Sequence, residues 1–152
     1  MANNTVVSTA EVLEGNDWFL TYRILRPDGA VLVPGDCSSS AGVTNVLTVN
    51  IYRLQGGASD EDKAIYTDTI PGDDMDKIIM ASLKTDGWWG GVDSTGYNFF
   101  LKIPVGATFP GGQRYRIEFQ LILTAATDSA HGSLGMGTVR WASIIYVKPM
   151  VS

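Results

Sequence analysis

Cysteine, histidine and charge are all scarce in this sequence of 152 residues, and each scarcity excludes a class of protein. A single cysteine, Cys37, cannot form a disulfide within the chain. One cysteine and one histidine, His131, cannot build a zinc site of the Cys/His type, so we expect no metal and no cofactor. Charged residues make up 18% of the chain, which is below the usual share and excludes the compositions typical of disordered segments and coiled coils.

Long apolar runs and a positive net charge are also missing. The longest apolar stretches, around residues 78–83 and 141–147, are too short to span a bilayer, so we expect no membrane partner. The net charge of −5 makes a nucleic-acid backbone an unsuitable partner. Residues 1–15 contain neither the basic nor the apolar region of a secretory signal, so we expect folding in a cytosol. Because the mean hydropathy is slightly positive and charged residues are few, we expect a partner or further copies of the chain to cover some apolar surface.

Alternation of apolar and polar residues is the main structural signal that is present. It is clearest in three segments, 47–52, 97–103 and 115–123. Such alternation predicts strands with one buried face, and it places Asn98, Phe100 and Lys102 on the outward side of the second strand. Weaker strand candidates are residues 6–13, 18–25, 31–33, 64–70 and 138–148.

Short strands separated by Gly- and Pro-containing turns predict an all-β fold, an antiparallel Greek-key β-sandwich of the Ig-like or jelly-roll-like kind. No repeat and no linker is visible, so residues 1–152 are expected to form a single domain. Near residues 74–83 the pattern fits a short helix, capped by Asp73 or Asp74, as well as it fits a strand. Tyr115 opens a strand after a Gly-bearing turn and is either a tyrosine corner or an ordinary core residue.

The aromatic segment from Asp86 to Phe99 is the most distinctive part of the sequence. Trp88 and Trp89 lie between glycines, and Asp86 and Asp93 flank them. One interpretation is a stacking platform for a sugar ring, with the two carboxylates as hydrogen-bond acceptors. The other is that one tryptophan closes the core and its neighbour covers a subunit contact, since tryptophan is enriched at the centres of interfaces. We favour core and contact over sugar binding.

Catalytic and metal-binding patterns are not apparent. The acidic clusters at residues 60–62 and 73–76 lack the alternation of a calcium loop. His131 has no nucleophile-elbow context, and Cys37 has no basic neighbour that would activate its thiol. We therefore expect a protein that is not an enzyme.

Three basic residues are expected to form a stripe on this acidic chain. Lys102, Arg114 and Arg116 fall on outward positions of two strands that we expect to be neighbours. Such a stripe either protects a sheet edge or docks an acidic protein surface.

Three short segments resemble those of small β-sandwich virion structural proteins of tailed bacteriophages. They are Leu83-Lys84-Thr85-Asp86-Gly87-Trp88-Trp89, Asp93-Ser94-Thr95-Gly96-Tyr97-Asn98-Phe99 and Gly112-Gln113-Arg114-Tyr115-Arg116-Ile117-Glu118-Phe119. The resemblance covers residues 83–120 and implies a structural role, either as a capsid decoration (cement) protein that stabilises the shell through subunit–subunit contacts or as a neck or tail component. It further implies a virion protein assembled in the host cytoplasm, with no catalytic residues to assign.

The expected partners are therefore copies of the chain itself, with a trimer favoured, and a major capsid or other virion protein. The expected contact residues are Trp88, Trp89 and Phe100 as apolar anchors, with Lys102, Arg114 and Arg116 for orientation. The first alternative is a carbohydrate-binding module or receptor-binding tip that uses Trp88 and Trp89. The second is a neck or tail-tube/adaptor subunit, in which sheet edges form the contacts.

Overall fold

Two β-sheets make up most of the structure. The computed structural model describes residues 5–6, 10–27, 29–37, 45–54, 63–89, 91–103, 109–123 and 137–149. The strands are β1 (Thr5–Val6), β2 (Ala10–Leu13), β3 (Trp18–Arg23), β4 (Asn45–Arg53), β5 (Tyr66–Pro71), β6 (Ile79–Lys84), β7 (Tyr97–Ile103), β8 (Gln113–Leu123) and β9 (Gly137–Lys148). Short 3-10 helices span Pro34–Cys37, Gly72–Lys77 and Gly87–Trp89. The prediction of an all-β fold is confirmed.

The described strands form two sheets, in which three consecutive pairs, β4–β5, β6–β7 and β8–β9, remain neighbours. Sheet A has the order β1-β3-β7-β6, and sheet B has the order β2-β9-β8-β4-β5. The described strand pairs are antiparallel except for one, because β2 runs parallel to β9. The antiparallel pairing that the sequence predicted does not extend to that pair. The segment predicted as one strand over residues 6–13 is divided instead between β1 in sheet A and β2 in sheet B. β1 pairs antiparallel with β3, whereas β2 pairs parallel with β9.

Aromatic side chains from both sheets meet in one buried cluster between them. Phe99 of sheet A lies 5.3 Å from Trp141 and 5.5 Å from Phe119 of sheet B, measured between ring centroids. Phe119 and Trp141 stack at 4.8 Å. Burying each such side chain contributes about 1.5–3 kcal/mol, so this cluster holds the sheets face to face.

The segment expected to be a helix or a strand contains both. A 3-10 helix covers Gly72–Lys77, and the chain then enters β6 at Ile79. Met75 and Ile79 are buried, which accounts for the apolar spacing that looked helical. The predicted caps, Asp73 and Asp74, are wrong, because Pro71 precedes the helix and no side chain caps it.

Asn98 is buried, although alternation predicted an outward position. Its Oδ1 accepts the Ile24 N–H at 2.7 Å, and its Nδ2 donates to the carbonyls of Ile24 at 2.9 Å and Leu32 at 2.8 Å. The amide therefore joins β7 to the chain that follows β3 and satisfies three backbone groups there. A buried polar group is stable only with such partners, and the alternation of the strand cannot reveal them.

Tyr115 is both a core residue and a tie to the preceding turn. Its side chain is fully buried, and its ring lies 5.1 Å from that of Phe109. Its hydroxyl donates to the carbonyl of Pro110 at 3.0 Å. The two interpretations of this residue are therefore compatible.

Candidate functional site

The loop between β6 and β7 carries the tryptophan pair, and it buries Trp89. The Trp89 side chain has no exposed surface, and its Nε1–H donates to Oδ1 of Asp93 at 3.0 Å. The Tyr97 ring lies 5.8 Å away, and the Arg23 guanidinium lies 5.6 Å from the centroid of the Trp89 ring. The prediction that Trp89 is an exposed contact anchor is therefore corrected, because its surface is already covered within the chain. The side chain of Trp88 lies outside the described part of the structure.

Asp93 organises this loop by accepting several hydrogen bonds. Its Oδ1 accepts the backbone N–H groups of Gly96 at 3.0 Å and Thr95 at 2.9 Å, in addition to the Trp89 indole. Its Oδ2 pairs with Nη1 of Arg23 at 2.9 Å. The Gly96 N–H, with help from Arg23, Trp89 and Thr95, lowers the pKa of this carboxyl to about 2.

The geometry of the loop does not fit a sugar platform built on both tryptophans. Trp89 presents no ring face to solvent, and Asp93 already accepts from its own loop. Asp86, the other predicted acceptor, receives the hydroxyl of Tyr97 at 3.3 Å. The closure also depends on Gly96, whose φ of +101° suits glycine and whose added Cβ would collide with the Lys84 carbonyl. This loop is a structural unit.

The three basic residues do not form a stripe. Lys102 lies on β7 in sheet A, whereas Arg114 and Arg116 lie on β8 in sheet B. The expectation that their strands are neighbours is wrong, because the chain changes sheets between β7 and β8. Lys102 is 3.6 Å from a carboxylate oxygen of Asp17.

Phe100 lies on the outer face of sheet A, where it forms an aromatic pair with Phe19. The two ring centroids are 6.1 Å apart, and 37% of Phe19 is exposed. Phe100 is half-buried, and Lys102 lies opposite Phe19 in the strand register. We call Phe19, Phe100 and Lys102 the aromatic face. Sequence reasoning found two of its members and missed Phe19, whose outward position depends on the register between β3 and β7.

A second feature, a depression of about 360 Å³, lies on sheet B and was not predicted. Its lining residues come from three adjacent strands and are Asn50, Glu118, Phe119, Gln120, Arg140, Trp141 and Ala142. Glu118 lies opposite Ala142 in the register, so a small side chain is surrounded by larger polar ones. The sequence feature that could have predicted this depression is the small residue Ala142 at an outward position of β9. It indicates a depression only when the larger side chains around it are known.

No protein-family model matches the chain, and no curated protein sequence matches it.

Within the described residues there is no group of three or more His, Cys, Asp and Glu side chains that could hold a metal ion. The same residues include no helix that is long and apolar enough to cross a membrane.

Cys37 is a buried core residue. Burial, with a smaller contribution from the negative charge of Asp36, raises the pKa of its thiol to about 12. The reactive thiolate form is therefore disfavoured at neutral pH, as the absence of a basic neighbour in the sequence predicted.

Proposed function

We propose that this chain is a non-enzymatic structural subunit of a tailed-phage virion, and within that class a capsid decoration protein. The observation that carries the proposal is the exposed aromatic face on sheet A. Phe19 and Phe100 lie outside the core, where a core role does not explain them. The resemblance of residues 83–120 to small β-sandwich virion proteins supports the same assignment.

The strand order favours an Ig-like over a jelly-roll-like sandwich. The order β1-β3-β7-β6 corresponds to the A-B-E-D sheet of that fold, and β9-β8-β4-β5 corresponds to its G-F-C-C′ sheet. Tyr115 lies near the start of the strand equivalent to F, and its hydroxyl bonds to Pro110 upstream, as in a tyrosine corner. Because this fold serves many functions, the functional proposal rests on the aromatic face.

The aromatic face has the composition of a contact surface. Burying Phe19 and Phe100 against another molecule would remove apolar area from water, which is the main driving force of association. Lys102 and Asp17 form an ion pair beside the rings and would fix the orientation of a partner. In a closed symmetric oligomer such contacts reinforce one another, so modest surfaces suffice.

Light scattering across a range of protein concentrations tests the association. We expect a closed oligomer, with a trimer favoured, for the wild type and a monomer for the double variant Phe19→Ser with Phe100→Ser. Ile144→Ser is the matched control, because Ile144 is also 37% exposed but lies on sheet B. A wild-type monomer at every concentration, or an oligomer that survives the double variant, would contradict association through this face.

The virion assignment has its own test. The chain would be co-expressed with the major capsid protein encoded in the same genome, and the particles would be imaged by electron microscopy. We expect the chain at a fixed position on the shell lattice. Particles without bound chain would contradict the decoration role, whatever the oligomeric state.

A further inference from the structure

The edge of sheet B beside β9 is incompletely covered by the described strands. β2 pairs with residues 145–148 of β9, and β8 pairs with residues 137–147 of β9 on its other side. Residues 137–144 therefore have a described strand neighbour on one side only. An unpaired strand edge presents backbone N–H and C=O groups to which another extended segment can bond.

The depression described above opens on this same strand. Arg140 and Ala142 belong to β9, and Gln120 and Glu118 lie opposite them on β8. If a strand were added beside β9, its side chains opposite Arg140 and Ala142 would lie on the same face of the sheet as these two residues. The Cβ atoms of each opposing pair would be roughly 5 Å apart. Because Ala142 is small, a longer side chain of the added strand can lean across it toward the near edge of the depression.

Charge decides which side chain would fit. Nε of Arg116 lies 2.7 Å from a carboxylate oxygen of Glu118, so these two charges compensate each other. Arg140 is exposed and forms no ion pair with the described residues, which leaves one positive charge in excess. The guanidinium group of arginine binds carboxylates through two parallel hydrogen bonds.

Amide groups add neutral donors to this surface. Asn50 lies on β4, two strands away from β9, where its Oδ1 accepts the Thr67 hydroxyl at 2.8 Å, so it lines the far side of the depression. Gln120 supplies a second primary amide beside Arg140. Donors next to a guanidinium are suited to a carboxylate, whereas an apolar side chain would leave them unpaired.

We propose that the β9 edge binds an extended acidic peptide segment of a partner protein. The segment adds a strand along residues 137–144 and places one carboxylate on Arg140, over Ala142. The net charge of −5 does not prevent this, because charges farther away than about 8 Å are screened at physiological ionic strength. The inference goes beyond the decoration role and does not depend on it, because it uses sheet B rather than the aromatic face.

Nuclear magnetic resonance titration of the full, isotope-labelled chain tests the proposal. The probes are a capped Val-Thr-Glu-Thr-Val peptide and the same peptide with Gln in place of Glu. We expect amide shifts along residues 138–143 and at Gln120, and about tenfold tighter binding of the Glu peptide. Arg140→Gln should abolish that preference, and Ala142→Leu, which fills the depression, should weaken binding of the Glu peptide.

Lys84→Gln is the control, because it removes an exposed surface cation from β6 of sheet A instead. It should leave both affinities unchanged. Equal binding of the two peptides, shifts confined to β5 or β6, or no shifts at millimolar peptide would each overturn the proposal. The oligomeric state of the chain affects none of these outcomes, so this test and that of the aromatic face can fail separately.

Discussion

The loop between β6 and β7 and the aromatic face both combine aromatic rings with an ion pair, but in opposite ways. In the loop, Trp89 is fully buried, and its indole is bonded to Asp93, which also holds Arg23. On the aromatic face, Phe19 remains 37% exposed, and the Lys102–Asp17 pair lies beside the rings in solvent. Aromatic content therefore does not distinguish the two regions. A tryptophan whose N–H is satisfied within its own loop stabilises the fold, whereas the rings of the aromatic face lie partly at the surface.

The largest effect expected from this difference is on stability. Trp89→Ala should lower the free energy of unfolding by about 3–5 kcal/mol, because it opens a cavity and leaves Asp93 without one donor. Phe19→Ala should change it by about 1 kcal/mol or less, since the ring is partly in solvent. Urea unfolding of both variants measures this. Similar losses for the two would show that the regions do not differ as described.

Asn98 extends the comparison to polar side chains. Asn98→Leu should cost about 3 kcal/mol or more, because it leaves buried backbone groups of Ile24 and Leu32 without partners. Asn50→Leu is the matched control, with an expected loss of about 1 kcal/mol, because its bond to Thr67 is solvent-exposed. Thermal and urea unfolding compare the two variants. Equal losses would argue against the buried role of Asn98.

The pH dependence of the loop should be smaller and confined to acid. In the folded state the pKa of Asp93 falls from the ordinary 3.8 to about 2, so its stabilising contribution is present above the unfolded value and is lost as the pH drops toward 2. Asp93→Asn should therefore lower the urea midpoint at neutral pH, and the gap to the wild type should close near pH 2. A gap independent of pH would show that the charge of Asp93 is not involved. Asp74→Asn, at an exposed ion pair with Lys77, is a surface control with little expected change at neutral pH.

The strands were largely predictable because alternation reports which face of a strand is buried. Five inward positions of β8 were read correctly, and all are buried: Tyr115, Ile117, Phe119, Leu121 and Leu123. Asn98 was misplaced because its burial depends on backbone groups far away in sequence. The split between β1 and β2 was missed because alternation does not specify which sheet a segment joins.

The candidate surfaces were less predictable, since they depend on strand register and sheet assignment. Phe100 was identified from its outward position, but Phe19 becomes its neighbour only through the pairing of β3 with β7. Lys102 was grouped with Arg114 and Arg116 because strands consecutive in sequence were assumed to be adjacent. The depression around Ala142 requires three strands in register, which no local pattern encodes.

Hydroxyl-radical footprinting at increasing protein concentration tests most directly whether the aromatic face is a contact surface. We predict that Phe19 and Phe100 become protected as the chain associates. Ile144, which lies on the other sheet and is as exposed as Phe19, should keep its reactivity. Protection of Ile144 with unchanged reactivity of Phe19 and Phe100 would contradict the assignment and move the contact to sheet B.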